Sequence, residues 1–292
     1  MTKLLITGKT QLLGVIGHPV EHSLSPVMHN AALAELGLDY IYLPFPIQPQ
    51  NLEVAIAGLA AMGVVGFSVT IPHKQAIMPL LSDIIPTARA IGAVNTVSWQ
   101  NHQWVGTNTD IEGFIAPLQT TYQQDWNQKV AVILGNGGAA RAVVAGCDQL
   151  GFAKIHVVGR NIQKLEEFRQ SWGNSPLAEK LQVQTWDDVA QLIPQADLLV
   201  NTTPVGMYPL VDNSPVKLAD MQKISPGAIA YDLIYTPNPT QFLQQAKQEG
   251  AIAIDGLEML VQQGVAALKI WLQLEAIPVD VMRQALRNHL GL

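Results

Sequence analysis

Short apolar runs separated by amphipathic stretches set the rhythm of the first third of the chain. Residues 12–16 and 40–46, rich in β-branched and aromatic side chains, predict strands. Between them Ser25-Pro26 predicts a helix start, with Ser at the N-cap and Pro at the first helical position. Asn51 predicts the cap of a second helix that runs to about Met62 and stops at Gly63. Residues 64–69 read as a third strand, and 93–99 with 103–105 as a hairpin turning at Asn101-His102.

From Lys129 the pattern becomes a plain β-α succession. Strand runs fall at 130–134, 155–158, 181–185, 197–200, 228–233 and 251–254, with helical stretches between most of them. That alternation predicts a parallel, doubly wound sheet with helices on both faces. After Asp255-Gly256 no further strand follows, and residues 257–271 and 279–287 have helical spacing instead. Six strands already complete the second sheet, so these helices are expected to return to the first domain. The fold class is then α/β with two domains, an N-terminal α/β domain of 1–112 plus 255–292 and an inserted Rossmann-like domain of 113–254. A length of 292 residues suits two such cores.

Three phrases place polar groups directly behind apolar runs. They are Ser-Val-Thr-Ile-Pro-His-Lys at 68–74, Asn-Thr at 95–96 and Gly-Thr-Asn-Thr-Asp at 106–110. Loops at strand ends are where a rigid scaffold displays its chemistry. Lys74, Asp110 and Asn95 delivered this way could bind a small polyol and move a proton. Each also has a plainer reading: a surface lysine, a cap for the helix at 111–118, and an Asx turn.

The run 130–134 leads into Gly135-Asn-Gly-Gly-Ala-Ala-Arg141, in which Gly135, Gly137 and Ala140 fit G-x-G-x-x-G/A. Strand before, helix after and a β-α series beyond are the context that makes this a dinucleotide loop. An NAD site needs an acidic group at the end of the next strand for the ribose 2′-OH. Here that end reads Val-Val-Gly159-Arg160-Asn161-Ile-Gln-Lys164, with no carboxylate before Glu166. Arg160 and Lys164 are available to a 2′-phosphate, so NADP is the expected cofactor. A proton relay beside a dinucleotide predicts hydride transfer.

Composition narrows the class further. Apolar residues make up 48% of the chain and charged residues 14%, as expected of an enzyme with much buried sheet. With 17 basic against 23 acidic residues the net charge is −6, and no basic stripe offers itself to nucleic acid. Cys147 is the single cysteine, which excludes an internal disulfide and suggests a reducing compartment. It is expected to be a small core residue, not a nucleophile. His18, His22, His29 and His73 match no zinc spacing, and no metal is expected. The opening residues 1–10 are too short and weakly apolar for a signal peptide, and no apolar run reaches the roughly 18–20 residues of a membrane span. The expected setting is the cytoplasm, with no membrane partner; a homodimer is compatible with the chain.

At this point the chain resembles the shikimate dehydrogenase family along its whole length. Gly17-His-Pro-Val-Glu-His-Ser23-Leu-Ser25-Pro-Val-Met-His29-Asn30 resembles that family's N-terminal signature, whose serines hold the carboxylate of shikimate. Residues 69–74 resemble its catalytic lysine segment, and Asn95-Thr with Asn108-Thr-Asp110 its substrate amide and catalytic aspartate. Residues 135–141 resemble its nucleotide loop, 201–207 and 231–235 its later strand ends, and 255–263 its closing helix. The resemblance implies reversible reduction of 3-dehydroshikimate to shikimate with NADPH, in aromatic amino-acid biosynthesis. It implies Lys74 and Asp110 as the catalytic pair, and Ser23, Ser25, Thr70, Asn95, Tyr235 and Gln263 as substrate contacts. It further implies Gly135, Asn136, Gly137, Gly138, Ala139, Arg160, Lys164, Thr202 and Gly256 on the cofactor side. With nicotinamide and substrate on different domains hinge closure is expected, near 111–113 and 254–256, the two crossings between the domains. One departure stands out: many members carry Asn-Arg-Thr where this chain has Gly159-Arg160-Asn161. Rival readings are a quinate/shikimate dehydrogenase, a non-catalytic metabolite sensor, and a thiol enzyme on a related fold.

Overall fold

A computed structural model of the chain describes residues 6–122, 125–173 and 175–292. The first half of the opening segment, residues 1–5, lies outside them. The order of elements is β1 (Gln11–Gly17), α1 (Ser25–Glu35), β2 (Tyr40–Pro46), α2 (Leu52–Ala61), β3 (Val64–Val69), α3 (His73–Ala76), β4 (Asp83–Ile84), α4 (Pro86–Ile91), β5 (Thr96–Gln100), β6 (Gln103–Thr107) and α5 (Asp110–Thr121). It continues with β7 (Val130–Leu134), α6 (Gly138–Leu150), β8 (Lys154–Gly159), α7 (Ile162–Gln170), β9 (Leu181–Thr185), α8 (Val189–Leu192), β10 (Leu198–Asn201), α9 (Leu218–Met221), β11 (Ile229–Asp232), α10 (Gln241–Gln248), β12 (Ile252–Ile254), α11 (Leu257–Leu272) and α12 (Val279–Leu290). The chain forms two compact units, one of residues up to Gly113 with Leu260–Leu292, the other Phe114–Met259. Both divisions fall inside helices, α5 and α11, and not in loops.

The first unit is built on a mixed six-stranded sheet ordered β2-β1-β3-β5-β6-β4. β1, β2 and β3 run parallel, and β5 turns antiparallel to β3. The β5–β6 hairpin closes through Asn101 and His102 at φ 48° and 61°, the left-handed pair that a two-residue turn of matching twist requires. Phe67, Val69, Val97 and Trp104 form a core with Ile56 and Leu59 of α2. On the opposite face Trp271 of α11 lies so close to β3 that a Cβ at Gly66 would come within 2.3 Å of its ring. The Trp271 indole N–H donates to Val97 O at 2.9 Å, which fixes α11 against the sheet.

The second unit carries an all-parallel six-stranded sheet ordered β12-β11-β10-β7-β8-β9. Strand order reverses between β7 and β10, the switch point where open α/β sheets bind ligands at the carboxyl ends of the strands. Val132, Leu134, Leu199 and Ala230 pack with Val189 and Leu192 of α8 and Phe242 and Ala246 of α10. Behind the other face, Phe114 stacks on Tyr231 with ring centroids 5.3 Å apart. A Cβ at Gly146 of α6 would approach the Phe114 ring to 2.6 Å, so this helix needs a glycine there to sit down.

All six predicted strands of the second unit are present. The two-residue β4 and its parallel pairing with β6 were not foreseen. Ser25 is not the cap of α1: it is the first helical residue, the N-cap position is Leu24, and no side chain caps that end. Its side chain is buried instead, an environment only the tertiary fold supplies.

Candidate active site

Three strand ends meet around Asn95. Because β5 runs opposite to β3, its beginning lies beside the end of β3, and Val69 N–H donates to Asn95 O at 2.6 Å. Asn95 N–H in turn donates to Thr107 O at the end of β6, at 3.1 Å. Behind β3 the chain enters α3, and Val94 N–H donates to Lys74 O at 2.8 Å, tying that helix to the start of β5. The buried His73 ring bonds Ile47 O at 2.7 Å and anchors the same turn from the other side. Sequence reasoning weighed His73 only as a metal ligand and missed this role.

This frame brings Lys74, Asp110 and Asn95 together. Lys74 Nζ donates to Asp110 Oδ2 at 2.5 Å, with side chains only 16% and 7% exposed. Asn95 Nδ2 donates to the other oxygen, Oδ1, at 2.8 Å. Asn95 is itself held, since its Oδ1 accepts Thr109 N–H at 2.7 Å and the Thr96 hydroxyl at 3.0 Å. An Asx turn is therefore not its role. Nor does Asp110 cap α5 with its carboxylate: Asn108 Oδ1 accepts Asp110 N–H at 3.0 Å, while Asn108 Nδ2 donates to Ala93 O. A carboxylate thus released from capping, oriented on one oxygen and paired with an ammonium on the other, can pass a proton.

The serine segment follows β1. Ser23 Oγ accepts Ser25 N–H at 3.3 Å, and the buried Ser25 side chain lies near the Tyr42 phenol. The Tyr42 O–H donates to Ser68 Oγ at 2.9 Å. Tyr42 is fully buried, which pushes its phenol up and keeps it neutral. Beneath it the His29 ring stacks at 4.2 Å, and burial pushes that imidazole down to about 3, so it is uncharged at neutral pH. Tyr42 and Ser68 were not singled out from sequence, because nothing local marks a phenol whose hydroxyl partner is 26 residues away. Tyr42→Phe should loosen Ser68 and the serine segment packed beside it and raise the substrate KM about three- to tenfold, the worth of one ordinary hydrogen bond. Steady-state kinetics would check this, with kcat expected to stay within about twofold.

Thr70 sits between β3 and α3, where a Cβ at Gly17 would come within 2.5 Å of its methyl. Gln263 is buried on α11 and its amide turns back to Leu260 O at 2.7 Å. Tyr235 belongs to the second unit and is half-buried in the segment after β11.

In the second unit the glycine loop follows β7. Gly135 has φ +109°, and a Cβ there would meet the Thr202 hydroxyl at 2.6 Å. Thr202 Oγ1 donates to Leu134 O at 2.7 Å, so this residue braces the loop from the end of β10. Gly137 faces open space: a Cβ added there would meet nothing within 4 Å, and no side chain caps α6 behind it. An uncapped helix start with free backbone N–H groups and an open approach suits a pyrophosphate. Arg160 and Lys164 are exposed at the end of β8 and the start of α7, and no described residue pairs with either side chain. Glu166, the nearest carboxylate along the chain, is turned toward Arg169 at 2.7 Å and Gln170 at 2.9 Å. The residues present therefore fit a nucleotide with a 2′-phosphate. Gly256 supports the fold of this unit, as a Cβ would fall 2.2 Å from Leu233 O.

Asp232, at the end of β11, was not singled out as a functional candidate but braces two loops. Its buried carboxylate accepts Asn201 Nδ2 at 3.0 Å, Ile234 N–H at 3.1 Å and the Thr240 hydroxyl at 2.7 Å. Burial outweighs these bonds and pushes its pKa from 3.8 up to about 7. The folded state therefore keeps a proton that the unfolded chain releases, and stability falls as pH rises from about 4 to about 7. Asp232→Asn should remove that component. The difference in urea midpoint between wild type and variant is expected to shift across this window; a constant difference would contradict the assignment.

Burial also pushes the Cys147 thiol up, so it is no nucleophile. Among the described residues no helix is long and apolar enough to cross a membrane.

Comparison with known proteins gives the family and the fold. The family model for the shikimate dehydrogenase substrate binding domain matches residues 15–97, that for shikimate/quinate 5-dehydrogenase 118–260, and that for the shikimate 5′-dehydrogenase C-terminal domain 256–287. The NADP(+) shikimate dehydrogenase of Trichormus variabilis is 78% identical over 99% of this chain and 100% of its own length. A shikimate dehydrogenase solved in complex with NADP+ superposes with a TM-score of 0.87 at 38% identity, covering 98% of each chain. The Thermus thermophilus enzyme in complex with NADP(H) and shikimate gives a TM-score of 0.82 at 32% identity, over 95% of this chain and 99% of that one. With the expected motifs, both sheets and full-length relatives in agreement, the chain belongs to the shikimate dehydrogenase family.

Proposed function

We infer that the chain catalyses the reversible, NADPH-dependent reduction of 3-dehydroshikimate to shikimate. The observation that carries this reading is the Lys74–Asp110 pair, closed at 2.5 Å and oriented by Asn95. In this assignment the first unit binds shikimate and the second binds NADP. The bound cofactor supplies the hydride to the C3 ketone carbon. Lys74 and Asp110, acting as one coupled acid-base unit, deliver a proton to the C3 oxygen in reduction and take it back in oxidation. Asn95 fixes the carboxylate, so the pair meets the substrate already aligned.

Ser23 and Ser25 replace water around the substrate carboxylate, joined by Tyr235. Thr70, Asn95, Asp110 and Gln263 address the ring hydroxyls, Gln263 by releasing its bond to Leu260 O. Gly135, Asn136, Gly137, Gly138 and Ala139 line the pyrophosphate approach, and Arg160 with Lys164 reads the 2′-phosphate. Thr202 and Gly256 serve the same side by bracing the loops that shape it. A reaction between small charged metabolites and a nucleotide suits the cytoplasm.

The test is a matrix of initial rates, shikimate and quinate each against NADP and NAD. Fast turnover with shikimate and NADP alone is the expected result. Substantial quinate turnover would widen the substrate class, and no turnover with any pair would leave a binding protein on this fold.

A further inference from the structure

We propose that Asn136 is a specificity-determining residue for the adenosine 2′-phosphate, standing where position 159 offers no side chain. The inference rests on the NADP reading of the second unit. β7 and β8 are parallel neighbours with Leu134 opposite Val158, and Gly135 N–H donates to Val158 O at 2.8 Å. The loop behind β7 is thereby laid across the end of β8. Gly159 is buried at that end, and a Cβ added there would come within 2.9 Å of Leu165 and 3.3 Å of the Asn136 carboxamide carbon. Asn136 thus fills part of the space that a side chain at 159 would need, one residue from Arg160.

The hydrogen-bonding capacity at this corner points the same way. Asn161 is committed to α7, its Oδ1 accepting Lys164 N–H at 3.0 Å. Asn136 is half-buried, yet no described residue hydrogen-bonds its carboxamide. A phosphate at neutral pH is an acceptor bearing nearly two negative charges. The amide offers it two N–H donors and no opposing charge, while Arg160 supplies the cation. A carboxylate in the same place would favour a free 2′-OH and repel the phosphate. Asn136 therefore adds direction to a site in which Arg160 adds charge.

Calorimetric binding of 2′,5′-ADP and of 5′-AMP to wild type, Asn136→Ala and Asn136→Asp tests this without turnover, thermal midpoints confirming that each variant is folded. Asn136→Ala is expected to weaken 2′,5′-ADP about tenfold and 5′-AMP less than about twofold. Asn136→Asp is expected to weaken 2′,5′-ADP further and leave 5′-AMP near wild type. Equal losses for both ligands, or none for either, would overturn the proposal and leave Asn136 as loop filler. If wild type itself does not prefer 2′,5′-ADP over 5′-AMP, the NADP reading beneath it fails.

Discussion

Lys74→Ala is expected to lower kcat by about a hundredfold to ten-thousandfold, the usual worth of a placed acid-base group, with a far smaller change in KM. The ammonium is the single cation paired with Asp110 among the described residues, and it lies on the oxygen that Asn95 leaves open. In the proposed assignment truncation removes one half of the acid-base pair, and it leaves Asp110, 7% exposed, with only neutral partners among the described residues. Uncompensated burial of a charge costs about 3 kcal/mol or more, so the variant is also expected to melt earlier. Rates must therefore be taken well below its melting range. Turnover near the wild-type value, with the fold intact, would remove Lys74 from the chemistry.

Arg160→Ala is expected to raise the KM for NADP by about ten- to a hundredfold while changing the KM for NAD less than about threefold. The range follows from the roughly 1.5–3 kcal/mol of a hydrogen bond to a charged group. Arg160 stands exposed at the end of β8 with no partner among the described residues, and Glu166 is already engaged by Arg169 and Gln170. Lys164 remains as a point charge but lacks the fork that matches phosphate oxygens. The check is kcat/KM with both cofactors. Equal losses for NADP and NAD would assign Arg160 to the shared part of the nucleotide instead.

How much of this could be read along the chain depended on how local each signal was. The six strands of the second sheet and the Asn101-His102 turn were legible, because period, flanking glycines and two-residue turns are short-range properties. So was the place of Arg160 directly after the strand that follows the glycine loop. The setting of Asn95 was not. It depends on β5 running antiparallel to β3, which puts the start of one strand beside the end of another. Ser25 misled for a similar reason: Ser before Pro is a good cap signal, but the helix begins one residue early and buries this serine as its first residue. Asp110 is the first helical residue and its N–H goes to Asn108 Oδ1, while its carboxylate bonds Lys74 and Asn95. The two-residue β4 carries no period at all, and its pairing with β6 is decided by the hairpin beside it. Thr202 and Gly256 were named only through the family resemblance; the Thr202 bond to Leu134 O and the close approach of Gly256 to Leu233 O are displayed by no residue pattern.

The central claim is that Lys74 and Asp110 work as one acid-base unit, and a double-mutant cycle on kcat tests it most directly. Lys74→Ala, Asp110→Ala and the double variant would be compared with wild type for shikimate oxidation by NADP. If the pair is one unit, the double variant loses about as much as either single one, since residues acting together are strongly non-additive. Losses that multiply, each variant adding its full factor, would mean two independent contributions and would contradict the account.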